Sequence, residues 1–166
     1  QYKLPYTIIR PFNCVGIGER RALSDIEIKS GNINLAMSHV IPDLVQKVLK
    51  DQNPLHILGN GNQIRHFTYG GDLAEGIKLC IESKQSINQD FNLSNKTPTT
   101  IIEAAKLIWR KIKKKDEYSF KYEKPYLYDV QRRSPNVEKA MKLLGFEAKT
   151  TLDESLEEII PWISEQ

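Results

Sequence analysis

Short β-type runs alternate with amphipathic helical runs along this chain, and that alternation limits it to an α/β or α+β architecture. Tyr6-Thr7-Ile8-Ile9 reads as a short strand that ends at Pro11. Residues 14 to 32 mix glycine and charge without periodicity and read as a long loop. Residues 33 to 50 carry Leu35, Val40, Ile41, Leu44, Val45, Val48 and Leu49 at helical spacing, with the main helix starting around His39 to Ile41 because Pro42 is tolerated in a first turn. Leu55 to Leu58 is a strand closed by Gly59, Ile64 to Tyr69 is a second strand, and residues 71 to 83 form a helix for which Asp72 reads as the N-cap. Phe91 to Leu93 is short and extended.

Two capping boxes mark helix starts. Thr100-Ile101-Ile102-Glu103 opens a helix that buries Ala104, Ala105, Ile108, Trp109 and Ile112, and Thr151-Leu152-Asp153-Glu154 opens a last one carrying Leu156, Ile159, Ile160 and Trp162. Pro161 is expected to end or kink that last helix. Between them, Tyr118 to Tyr122 alternates as a strand, and Pro135 to Leu144 reads as a helix stopped by Gly145.

At 166 residues the chain is one domain with enough length for a core. A net charge of +3 is too mild to argue for nucleic acid, and the Lys111–Lys115 run continues a helix whose C-terminal end favours cations. Cys14 and Cys80 lack metal-type spacing, so reduced thiols and a cytoplasmic setting are expected. No apolar run is long enough to span a membrane, and the sequence shows no signal peptide. No group of His, Cys, Asp and Glu has metal spacing, and no serine or cysteine sits in a nucleophile elbow.

The informative stretch is Arg65-His66-Phe67-Thr68-Tyr69-Gly70-Gly71-Asp72-Leu73, directly after the turn-forming Gly59-Asn60-Gly61-Asn62. Before it stand Ile9-Arg10-Pro11-Phe12-Asn13-Cys14-Val15-Gly16 and His39-Val40-Ile41-Pro42. After it come Phe91-Asn92-Leu93-Ser94, then Asp129-Val130-Gln131-Arg132-Arg133-Ser134-Pro135-Asn136 and Leu143-Leu144-Gly145-Phe146. Each motif is loose alone. In this order, over nearly the whole chain, they resemble the C-terminal, substrate-binding half of the extended short-chain dehydrogenase/reductases, the NAD-dependent nucleotide-sugar epimerases and dehydratases. The resemblance implies a parent enzyme that acts on a nucleoside-diphosphate sugar such as a UDP-sugar, by 4-epimerisation, 4,6-dehydration or decarboxylation.

Two family signatures are absent. No glycine-rich loop leads into a helix in the manner a dinucleotide pyrophosphate requires, and no tyrosine is followed four residues later by lysine. The chain is therefore expected to be a single substrate-binding fragment, residues 1–166, without the N-terminal Rossmann half that binds NAD and carries the catalytic Tyr/Lys pair. Gln1 in place of an initiator Met agrees with that expectation. The fragment is expected to be inactive alone, its partners being the N-terminal half and, in the full-length protein, a second copy in a homodimer. The alternative is a stand-alone, non-enzymatic module that binds a nucleotide sugar.

The resemblance also assigns candidate residues. Arg65 matches an arginine on the diphosphate, and Arg133 a second one, with Arg132 its rival. Planar guanidinium forks suit phosphate better than ammonium groups do. Asp129 matches an acceptor for ribose hydroxyls, although Tyr126-Leu127-Tyr128 stands where the family carries Arg-x-Gly. His56 and Leu58 lie on the strand whose backbone edge meets the base. Asn13 follows a strand, where α/β sheets expose binding groups, and matches a donor to the sugar-phosphate side. Phe12 would lie near the nicotinamide of NAD. His39 stands where relatives often carry asparagine and has a donor for phosphate. A core phenylalanine, a turn asparagine, a helix-start histidine and two solvated arginines are the alternatives for these same positions.

Overall fold

The computed structural model describes residues 3–19, 27–30, 33–36, 39–115, 117–125 and 127–166. Its elements run β1 (Thr7–Pro11), β2 (Cys14–Val15), β3 (Glu27–Ser30), β4 (Ile33–Ala36), α1 (Val40–Leu49), β5 (Leu55–Leu58), β6 (Ile64–Arg65), β7 (Thr68–Tyr69), α2 (Gly70–Glu82), β8 (Gln89–Leu93), β9 (Thr99–Thr100), α3 (Ile101–Lys113), β10 (Phe120–Glu123), α4 (Glu138–Leu144) and α5 (Leu152–Ser164). The class is α/β, with five α-helices and short strands among the described residues.

Strands pair two by two. β1 lies parallel to β8 with Thr7 opposite Gln89 and Pro11 opposite Leu93. A parallel pair needs a crossover, and α2 lies within it. β5 is parallel to β10, and β2 to β7. β3 and β4 form an antiparallel hairpin, as do β6 and β9 their own short ladder.

Two apolar cores result. The larger joins Leu44, Val45 and Val48 of α1, Leu55 and Ile57 of β5, Ala104, Ala105 and Ile108 of α3, and Leu156, Ile159 and Ile163 of α5. The smaller joins Leu73 and Cys80 of α2, Phe91 and Leu93 of β8, Ala140 and Leu144 of α4, and Phe146. A buried polar strip runs alongside them: Asn95 N donates to Thr68 Oγ1 (3.1 Å), Asn95 Nδ2 to the Thr150 carbonyl (3.1 Å), and His66 Nδ1 lies 3.0 Å from the Asn95 carbonyl. Ile8 in β1 and Ile77 and Ile81, one turn apart on α2, are exposed. No helix among the described residues is long and apolar enough to cross a membrane.

Both capping boxes form, Thr100 with Glu103 and Thr151 with Glu154. Gly145 ends α4 at φ +67°. Four expectations need correction. The stretch 14–32 contains β2 and β3 rather than only loop, and 33–36 is strand, while α1 begins at Val40, inside the start expected at His39 to Ile41; residues 20–26, 31–32 and 37–38 lie outside the described residues. The strand expected over 64–69 breaks at His66-Phe67 into β6 and β7, which pair with different partners. The helix expected over 135–144 begins only at Glu138. α5 continues through Pro161 to Ser164, because a proline in the last turn removes only one hydrogen bond and the Pro161 carbonyl still accepts from Ser164 Oγ at 2.7 Å.

Asp90 of β8 accepts from Lys139 of α4 at 2.9 Å and from Arg10 of β1 at 2.5 Å. The hydrogen bond from Lys139, then that from Arg10, hold its carboxyl down at about 2. A folded pKa below the unfolded value stabilises above the ordinary carboxylate range and loses that contribution as pH falls toward about 2. An NMR titration should find the Asp90 midpoint near 2, and Lys139→Ala should move it up toward the ordinary aspartate value. Gly76 of α2 packs where a Cβ would meet Phe146 Cε2 at 2.8 Å and Leu93 Cδ1 at 3.0 Å. Overpacking costs about 1–3 kcal/mol, more than the roughly 1 kcal/mol that alanine gains over glycine in a helix. Gly76→Ala should therefore lower the midpoint of chemical unfolding despite its better helix propensity.

Candidate functional site

The turn before β6 is built from its own residues. Gly59 and Gly61 take φ of +70° and +75°, a region that favours glycine, and Asn60 Oδ1 accepts from the Asn62 amide at 2.9 Å. The turn delivers Ile64 into a narrow slot. On one side β6 pairs with β9; on the other the Ile64 amide donates to the Gln131 carbonyl (2.8 Å) and the Arg133 amide donates to the Ile64 carbonyl (3.2 Å). A strand end thus lies against the segment carrying Asp129, Arg132 and Arg133.

Arg65 is held there and only partly exposed, its side chain at 17%. Nη1 donates to the Ile64 carbonyl at 2.9 Å, and Nη2 lies 3.6 Å from Asp129 Oδ1. Burial pulls the guanidinium below its usual pKa, Asp129 pushes it back up, and the nearby Arg133 charge lowers it. The other oxygen of Asp129 is anchored: Oδ2 accepts from Gln63 Nε2 at 2.7 Å and lies 3.5 Å from Gln131 Nε2. Arg133 is exposed, as is Arg132, which donates from Nε to Ser134 Oγ at 3.3 Å. Two cationic forks and one carboxylate with a fixed face are a set able to grip a phosphate and a diol side by side.

Leu58 joins this cluster through Gln63, and His56 lies two residues before it on the same strand. Leu55 and Gly59 donate their amides toward the β10 side, to Ser119 and Glu123, so the backbones of His56 and Leu58 face the opposite edge of β5. Side chains already occupy much of that edge. The His56 amide donates to Gln52 Oε1 (3.0 Å), its carbonyl accepts from buried Lys47 (3.1 Å), and the Leu58 carbonyl accepts from Gln63 Nε2 (3.1 Å). The His56 ring is buried, with Nδ1 2.8 Å from Glu123 Oε1. That is ion-pair distance without the alignment of a hydrogen bond.

Asn13 adopts φ +38° and donates from Nδ2 to the His66 carbonyl at 3.0 Å, while its own carbonyl accepts from Thr68 N at 3.1 Å. It pins the end of β1 to the residues after Arg65. Phe12 is half-buried, its amide bound to the Leu93 carbonyl at 3.2 Å. His39 occupies the N-cap position of α1 with an exposed side chain that contacts Glu19 through Nδ1. Asp72 is not the N-cap of α2, which is Tyr69. It sits in the first turn and accepts from Thr150 N (2.8 Å) and Thr150 Oγ1 (3.1 Å), which ties α2 to the start of α5.

Gln63, Gln131 and Glu123 belong to this neighbourhood and were not picked out by sequence reasoning. The only local cue was the place of Gln63 between a glycine turn and Arg65. A separate cleft of about 370 Å³ is lined by Tyr69, Lys149, Thr150, Glu154, Ser155 and Glu158. Tyr69 donates to Glu158 Oε2 at 2.9 Å, which raises its phenol pKa, and its ring lies where a Cβ on Gly71 would be 2.5 Å away. No three of His, Cys, Asp and Glu among the described residues group as a metal site.

Neither the Gly59/Gly61 turn nor the glycine pair that starts α2 fits the pyrophosphate of a dinucleotide. A Cβ at Gly59 would collide with Gln63 Nε2 and one at Gly61 would meet Ile102 Cβ at 3.2 Å, so both glycines are closed by the chain's own side chains rather than open to a phosphate. The glycine pair that starts α2 carries the Asp72 carboxylate in its first turn, which repels an anion.

The family model described as "NAD dependent epimerase/dehydratase family" matches residues 1–94. UDP-glucuronic acid decarboxylase 1 of Danio rerio is 32% identical over 127 residues, which cover 76% of this chain and 29% of that protein. A putative UDP-glucose 4-epimerase of Methanocaldococcus jannaschii is 29% identical over 162 residues, 98% of this chain and 47% of that protein. The UDP-glucose 4-epimerase of Thermotoga maritima, solved with UDP-glucose, superposes with a TM-score of 0.77 at 25% identity, over 99% of this chain and 48% of that one. The epimerase Mth375 of Methanothermobacter thermautotrophicus does so with a TM-score of 0.79 at 25% identity, over 99% and 44%. The chain spans less than half the length of each of these relatives. On this evidence the chain belongs to the NAD-dependent epimerase/dehydratase family.

Proposed function

We propose that this chain is the nucleotide-sugar-binding portion of an NAD-dependent epimerase/dehydratase acting on a nucleoside-diphosphate sugar, in the manner of a UDP-sugar 4-epimerase. The observation that carries the reading is the junction of Arg65, Asp129 and Arg133 on adjacent backbone segments of a family member. The likeness to an epimerase solved with UDP-glucose supports it. In this reading Arg65 and Arg133 neutralise the diphosphate, Asp129 Oδ1 accepts from the ribose, and the strand edge at His56 and Leu58 borders the base. Asn13 and His39 flank the sugar-phosphate side, and Phe12 faces the nicotinamide. The remainder of a longer parent holds NAD and supplies the catalytic pair, and the full-length protein works as a cytoplasmic homodimer.

A second reading, a UDP-glucuronic acid decarboxylase, is favoured by the relatives that bear that name at 32% identity. The two readings share every role given above to this chain's residues.

Two outcomes are expected. The 166-residue chain alone, supplied with NAD and a panel of UDP-, GDP- and dTDP-sugars, should show no turnover; activity that copurifies with it would defeat the proposed division of labour. A charge-assisted contact contributes about 1.5–3 kcal/mol, so in the full-length parent Arg65→Ala should weaken UDP binding about 10- to 150-fold by calorimetry. Arg65→Lys should recover only part, since it keeps charge and loses the fork. NAD affinity should stay put. Unchanged UDP affinity, or an equal loss for NAD, would make Arg65 a structural residue.

A further inference from the structure

Gln63 is 4% exposed, and both of its amide hydrogens are spent. Nε2 donates to Asp129 Oδ2 at 2.7 Å and to the Leu58 carbonyl at 3.1 Å. The reverse orientation would set the amide oxygen against two acceptors, so the network leaves one arrangement. Its consequence is that Oε1 is buried without a hydrogen-bond partner among the described residues. A buried acceptor without a protein partner is costly to the fold, which makes the two bonds on the other side of the amide the reason to look for a role. The side chain packs against Gly59, at φ +70°, where a Cβ would meet Nε2.

We propose that Gln63 is a positioning residue for ribose recognition, which touches no ligand and acts by fixing the Asp129 carboxylate. The inference rests on the nucleotide-sugar reading given above. With Oδ2 tied to Gln63, rotating the carboxylate would break that hydrogen bond, and Oδ1, 3.6 Å from Arg65 Nη2, is the oxygen left to accept from the ribose hydroxyls. Gln131 cannot take over, because it is exposed and reaches the same oxygen only at 3.5 Å. Through the Leu58 carbonyl the same amide sets the distance between the base edge of β5 and the ribose acceptor. An acceptor held from behind discriminates a diol far better than one that swings.

The test is calorimetric titration of the full-length parent with UDP and with its 2′,3′-dideoxy analogue, for the wild type, Gln63→Met, Asp129→Asn and the double variant. Gln63→Met keeps the volume and removes both donors. It should weaken UDP about tenfold, the loss of one charge-assisted hydrogen bond, and leave the dideoxy analogue unchanged, so that the preference for ribose collapses toward one. In the Asp129→Asn background it should add nothing further. An equal loss for both ligands would mark a merely structural residue, and a full penalty persisting without Asp129 would show that Gln63 acts by another route; either overturns the inference. Gln63→Glu is isosteric and places a carboxylate against Asp129, so it serves where the methionine variant does not fold, and retention of the wild-type preference in it also overturns the inference. A wild type that fails to bind UDP sinks the nucleotide reading and this inference together. A wild type that binds, beside a Gln63→Met variant with unchanged preference, sinks this inference alone.

Discussion

Everything at the candidate site depends on the backbone of Ile64 being bonded from both sides. One ladder ties β6 to β9, and a second contact, Ile64 N to Gln131 O and Arg133 N to Ile64 O, draws in a segment far away in sequence. Backbone hydrogen bonds are obligatory once buried, so a two-residue strand so placed has one register available to it. That register sets Arg65 beside Asp129 and within the field of Arg133. Neither side chain could achieve this alone. An exposed arginine and aspartate gain little from meeting, and long side chains lose conformational entropy when they do.

The rear of the site is stiffened by charge that the apolar core would otherwise reject. Lys47 of α1 is 7% exposed, yet it pairs with Asp43 at 2.7 Å and donates to the His56 carbonyl at 3.1 Å. Burial raises the Asp43 pKa, and the lysine beside it pulls it back down. A buried cation without such partners would be costly; here Asp43 balances it within α1, and its bond to the His56 carbonyl fastens α1 to β5. The strand that borders the cluster is thereby locked to the larger core. Asn13 does the same from the other direction by holding His66, the neighbour of Arg65.

Much of this was legible in the sequence because it is local. The capping boxes at Thr100 and Thr151, the stop at Gly145 and the stripe Ala104, Ala105, Ile108 and Trp109 depend on residues a few positions apart, and the structure carries each of them. Pro161 and Asp72 depart from expectation for different reasons. Proline tolerance depends on how many helical bonds remain beyond it, and an aspartate near a helix start can as easily bind a distant loop as cap its own helix. The 64–69 run looked like one strand because β-type residues are contiguous there, whereas its two ends pair with different partners.

The candidate residues divide along the same line. Arginine, aspartate and asparagine in their motifs announced a chemistry of forks and acceptors for phosphate and hydroxyl groups, since that depends on residue type and order. Which of them meet was decided by the tertiary structure: Arg65 with Asp129, Asn13 with His66, and His39 with Glu19. Gln63 was invisible beforehand because a glutamine in a turn is ordinarily solvated. It acquires a role only where Leu58 and Asp129, five and 66 positions away, converge on one amide. The sequence by itself determined helices, caps, turns and the kinds of groups on offer, because short-range sterics and hydrogen bonding act within a few residues. Only the folded chain decided which groups share a site, because that follows from strand register and burial, which couple positions far apart.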